Sequence, residues 1–165
     1  MYARLLIATL LLTCPIFASL AQLKTVPEIE RATKSEFVKA VNDLRAFLQI
    51  PNDGHYPEQI DANISWATKA FESRGFKTQL IKTPGAPHVY AEKQFVKKGK
   101  TVLFYLQIDG QPVDTSAWDQ ESPFKAALKE EKNGHWQEID WSNFNDNFNP
   151  DWRIYARSAS DSKGP

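Results

Sequence analysis

Thr101 to Ile108 reads TVLFYLQI, an uncharged run with apolar side chains on both faces of an extended chain. A strand of that kind is at home between two covering layers, as in α/β proteins. Its surroundings give the order helix, helix, strand, strand, strand. The expectation is an α/β fold: a three-layer α/β/α sandwich with a mixed, largely buried sheet, incomplete at the C-terminal end. The central strand, Val102–Asp109, carries polar groups only at its C-terminal end, where open α/β sheets place their ligands.

Upstream, Thr33-Lys34-Ser35-Glu36 has capping-box spacing. Phe37, Val41, Leu44 and Leu48 then recur at helical steps, and Pro51 stops the helix. Asn52-Asp53-Gly54 is turn chemistry. A second helix is expected with Pro57 in its first turn, Ile60, Ile64, Ala67 and Phe71 as its stripe, and Gly75 as its cap. Asn63-Ile64-Ser65 matches a glycosylation sequon, but inside a predicted helix. Phe76–Thr83 and Val89–Val96 are short β-prone runs, Lys97-Lys98-Gly99-Lys100 is a polar turn, and Arg153–Arg157 is another short strand.

Residues 1–21 read as a signal peptide. Arg4 supplies the positive start, Leu5–Leu12 the apolar stretch, and Ser19-Leu20-Ala21 a cleavage site before Gln22. An uncleaved anchor is the alternative, on a stretch short for a bilayer. Cleavage removes Cys14, the only cysteine, so residues 22–165 enter an oxidising compartment without a thiol. The expected location is secreted or periplasmic, with no membrane attachment after cleavage. With 20 Lys+Arg against 20 Asp+Glu, the chain lacks the cationic surplus of a general nucleic-acid binder.

Residues 114–152 change character. Trp118, Trp136, Trp141 and Trp152 fall here, with the Asn/Phe-rich run 143–149. Either this insertion covers the sheet edge or its aromatics wall a substrate cleft. The Asp/Asn spacing is not a calcium loop, because the glycine and closing glutamate are missing.

Two segments carry the chemistry. Tyr105-Leu106-Gln107-Ile108-Asp109-Gly110-Gln111-Pro112-Val113-Asp114, followed by Trp118 and Ser122-Pro123-Phe124, resembles the first metal motif of the M20 metallopeptidases, the family of glutamate carboxypeptidases, dipeptidases and deacylases. Arg157-Ser158-Ala159-Ser160-Asp161-Ser162-Lys163-Gly164 resembles its second. The likeness extends to Phe47-Leu48-Gln49-Ile50-Pro51 and Arg74-Gly75-Phe76, so residues 22–165 look like an N-terminal portion of an M20-type catalytic domain.

The resemblance implies a two-metal hydrolase of peptide or N-acyl amide bonds. Asp161 would be the carboxylate bridging both metals, Gln107 would stand at a ligand position, and Asp109 would be the catalytic-site residue orienting that ligand. A cis peptide after Asp161 is also implied. Zinc is the family's metal, with manganese or magnesium admitted by Gln107, since the family has histidine there and an amide oxygen is a harder, weaker ligand. Two readings of Gln107 stay open: its carbonyl oxygen binds metal while its NH₂ donates to Asp109, or that metal position is lost.

The paired glutamate, the remaining ligands and the dimerising lid domain of the family have no counterpart here. His55, His88 and His135 match no ligand position, and Glu130 and Glu131, beside Lys129 and Lys132, read as a solvated face. The expectation is a truncated hydrolase, inactive alone, whose partners are peptides or N-acyl amino acids. The alternative is a non-catalytic remnant, or a module binding peptides or sugars through residues 114–152.

Overall fold

The computed structural model describes residues 25–145 and 148–164; the leader expected over residues 1–21 lies outside them. Helix α1 spans Val26–Leu48. It starts at Thr25, whose backbone N–H donates to the Glu28 carboxylate at 2.7 Å, with a proline in the first turn. That capping box opens the helix ahead of Thr33–Glu36, which lies inside it and caps nothing. The expected stripe holds: Val41 and Leu48 are buried and Leu44 packs against the core. Phe37 instead meets Phe148, ring centroids 4.6 Å apart.

Helix α2 spans Pro57–Glu72 and buries Ile60, Ile64 and Ala67. Its end is closed by the Phe76 N–H donating to the Phe71 carbonyl, with Gly75 at φ +78°. A left-handed residue there lets the chain turn back over the last carbonyls, which favours glycine. Asn63 is fully buried on α2, and its Nδ2 donates to the Pro51 and Gln59 carbonyls, each at 2.7 Å. The sequon therefore presents no free amide.

The mixture of helix and strand is as expected, and both sheets are antiparallel. Strands β1 (Lys77–Ile81) and β2 (His88–Glu92) form one, with Lys77 opposite Glu92 and Ile81 opposite His88. Strands β3 (Ala127–Lys132), β4 (His135–Ile139) and β5 (Arg153–Tyr155) form the other, in the order β4-β3-β5. The β3–β4 turn is Asn133-Gly134, at φ 53° and 79°, the two-residue hairpin whose twist matches its strands. The β3–β4 hairpin thus lies within residues 114–152, and its return strand β5 follows directly after them.

Leu128 turns inward from β3. Beside it Leu48, Ala126 and Ala156 form a buried cluster, closed over by Leu44, Trp141, Ile154 and Ala159. Burying a leucine such as Leu48 contributes about 2 kcal/mol. On the opposite face Ala127 is buried, Trp136 is exposed and stands against Tyr155, and the Lys129 ammonium lies over the Tyr155 ring at 4.6 Å.

The sequence reading of Thr101–Ile108 as a buried central strand is not what the structure shows. The segment has no ladder partner among the described residues, and Val102–Leu106 are 67 to 88% exposed. Only its exit is fixed, by a parallel bridge between Asp53 and Gly110. The apolar pattern was read correctly. What is missing is a neighbour: β3 makes its ladders with β4 and β5, and β1 with β2.

Candidate functional site

The exit of the Thr101–Ile108 segment meets the last described turn at one side chain. Asn52 is 1% exposed. Its Nδ2 donates to the Ile108 carbonyl at 2.9 Å and to Ser162 Oγ at 3.0 Å, and its Oδ1 accepts from Ser158 Oγ at 3.1 Å. The Asn52 carbonyl accepts the Gly110 N–H at 2.6 Å, and the Gly110 carbonyl accepts the Gly54 N–H at 3.1 Å. A Cβ on Gly110 would sit 2.9 Å from Asn52 Nδ2, so this approach requires glycine. Both resembling motifs are therefore tied to the Asn52–Gly54 turn.

Arg157 makes the second tie. Its Nη2 donates to the Gln111 carbonyl at 2.9 Å, and its Nη1 stands 3.7 Å from Asp161 Oδ2. Its backbone N–H reaches the Pro123 carbonyl at 2.7 Å, which anchors the Ser122-Pro123-Phe124 stretch to the same turn.

Lys163 makes the third. Its Nζ donates to the carbonyls of Phe47, at 2.9 Å, and of Ile50, and lies over the Phe47 ring at 4.3 Å. A cation at a helix C-terminus meets the negative end of its dipole. Burial nevertheless pushes the Lys163 ammonium down from the usual lysine range to about 7.

Of the residues named from sequence, Asp109 lies beside Gly54, where an added Cβ would be 3.6 Å from Asp109 Oδ2. Gln107 Nε2 contacts the Asp109 backbone carbonyl at 3.4 Å rather than its carboxylate. Asp161 is exposed, with Arg157 as its nearest charge. The peptide bond after Asp161 is trans, against the cis bond implied by the resemblance; its turn is set by Ser158, at φ 69°, and by the Gly164 N–H bonding back to the Ser158 carbonyl at 3.1 Å.

The motif reading gave no role to Arg157, which opens the second motif, and left out Asn52 and Asp53. Asp53 Oδ1 accepts from the His55 backbone N–H at 2.9 Å and contacts its Nδ1 at 2.8 Å. The backbone hydrogen bond first, then the imidazole, hold the Asp53 carboxyl below the usual carboxylate range. His55 thus belongs to the turn beside Asp109. The only signal for this was Asn52-Asp53-Gly54 itself, read as a turn and nothing more.

Among the described residues, no group of three or more His, Cys, Asp or Glu side chains is placed to hold a metal ion. Asp109, Asp161 and Gln107 alone do not make up a dinuclear ligand set.

The tryptophans divide. Trp141 joins the core, its Nε1 donating to the Ala126 carbonyl at 2.9 Å, with the Arg45 guanidinium 4.4 Å above its ring. Trp136 and Trp152, with Glu131, Asp151 and Arg153, line a separate cleft of about 320 Å³. No helix among the described residues is long and apolar enough to cross a membrane.

No family model, curated protein or solved structure matches this chain.

Proposed function

We propose that this chain is the N-terminal portion of an exported hydrolase of peptide or N-acyl amide bonds, of the M20 metallopeptidase type, with Asp161 and Gln107 at its metal position and Asp109 orienting the latter. The fold that goes with this reading is a three-layer sandwich. The observation that supports it is the double engagement of Asn52. One amide joins Ile108 to Ser158 and Ser162 and so draws together the segments bearing Asp109 and Asp161. Two carboxylates and one amide fall short of a complete ligand set, so the chain alone is expected to take up zinc or manganese weakly and not to turn over dipeptides.

Zinc and manganese titrations of the chain and of Gln107→His test this reading. Imidazole in place of the amide is expected to tighten zinc binding by tenfold or more. No gain would remove position 107 from the ligand set, and indifference to Asp161→Asn as well would discard the reading.

The cleft beside Trp136 and Trp152 favours a second reading, a module that binds peptides or sugars on an aromatic wall. Tryptophan fluorescence titrated with dipeptides and with a disaccharide tests it, and an unchanged spectrum in both series rejects it.

A further inference from the structure

Val102–Leu106 are five consecutive large apolar residues, each more than two-thirds exposed, in a stretch with no charge between Lys100 and Asp109. Such a run with an open backbone edge templates strand pairing. One edge is already approached: Gly110 bonds through both N–H and C=O to the Asn52–Gly54 turn, and the Ile108 carbonyl bonds to Asn52. Continued as an extended chain from Ile108 and Gly110, the run would direct its even-numbered backbone groups to the side of that turn and its odd-numbered groups to the opposite side.

Charge selects the occupant of the open edge. Lys97, Lys98 and Lys100 precede the run, and Asp109 and Asp114 follow it. A parallel neighbour of the same sequence would set like charges together, whereas an antiparallel one sets each lysine end against an acidic end, twice over. We propose that Thr101–Ile108 pairs antiparallel with the same segment of a second copy about a twofold axis at Phe104.

In that register Leu103 faces Tyr105, Val102 faces Leu106 and Thr101 faces Gln107. Asp109 faces Gly99, with Lys97 of the other copy diagonally beside it, within reach of a long side chain. The odd-numbered residues form the hydrogen-bonded pairs, which agrees with the side to which their backbone groups point. The Asn52–Gly54 turn occupies the other edge at Ile108 and Gly110, so a third copy cannot pair there in the same register and association is expected to close at two copies.

Sedimentation velocity across a concentration series tests the proposal. The expected result is a monomer–dimer equilibrium. Phe104→Lys should hold the chain monomeric, because it sets two ammonium groups face to face at the axis; Phe104 is exposed, so at concentrations where the parent is monomeric the variant's circular dichroism and urea midpoint should match the parent's. Lys97→Glu should weaken the dimer roughly three- to tenfold, an effect that shrinks in high salt. Val26→Lys, a change at another exposed apolar residue, on α1, should leave it intact.

A chain that stays monomeric at all concentrations would overturn the proposal, as would open-ended aggregates without a dimer plateau or a dimer indifferent to Phe104→Lys. Metal uptake and self-association are measured separately, so either reading can fail alone.

Discussion

Ser158 donates its hydroxyl to the Asn52 side-chain oxygen across 3.1 Å, both residues being almost wholly buried. Removing the amide leaves Ser158, Ser162 and the Ile108 carbonyl short of a partner inside the protein. Asn52→Ala is therefore expected to cost about 2–4 kcal/mol, since each buried polar group left unpaired costs about 1–3 kcal/mol. Asn52→Asp should also destabilise, because it retains the acceptor and loses the Nδ2 donor. Urea unfolding measures both, and a cost below about 0.5 kcal/mol for the alanine variant would mean that the two motifs are held together by something else.

Three glycines should respond differently to alanine. At Gly164 the added Cβ would collide with the Ala159 carbonyl, and at Gly110 it would press on Asn52 Nδ2. At Gly134 it would meet open space, so only the backbone at φ +79° resists. The expected order of destabilisation is Gly164, then Gly110, then Gly134, the last at about 1 kcal/mol. Thermal midpoints of the three variants give the order directly.

Lys163 predicts a pH dependence whose sign follows from its burial. In the folded chain the ammonium releases its proton near pH 7, while the unfolded chain holds it up to the ordinary lysine value of 10.5. Between those values the unfolded state binds more protons, so stability rises with pH across that window and is flat, for this group, below it. Lys163→Met has no proton to release and should lose that rise. Urea midpoints at pH 6.5, 8 and 9.5 test the sign; parallel curves for both proteins would show that Lys163 does not titrate in this range.

Asn63 should stay unmodified in a glycosylating host, since its Nδ2 already serves two carbonyls inside the protein. The expected intact mass is the same for the parent and Ser65→Ala. A glycan-sized difference between them would show that residue 63 is reached before or without folding.

The two helices were legible because their apolar steps match one face, as Val41, Leu48, Ile60 and Ile64 show. The start of α1 was missed because Thr33–Glu36 and Thr25–Glu28 carry the same spacing, and only the second sits at a chain entry. The hairpin of β3 and β4 was missed although Asn133-Gly134 is a strong turn signal, because the tryptophans drew the reading toward an insertion. Thr101–Ile108 shows the limit of pattern: composition says what a segment should face, and only the rest of the structure says whether anything is there. At the site, motif residues Asp109 and Asp161 were legible, whereas Asn52 was not, since a buried hub asparagine and a turn asparagine look alike in sequence.

The Asn52 amide gathers partners up to 110 positions away along the polymer. Closing loops that long is slow compared with winding α1 or zipping the β3–β4 hairpin, and nothing rewards it until all three strands of chain arrive. Refolding should therefore run in two stages, with helix and hairpin signals returning first and the Asn52 crossing last. The same crossing should be the first to exchange its amide hydrogens as the protein warms, so whatever activity depends on it would be lost while most of the fold still stands.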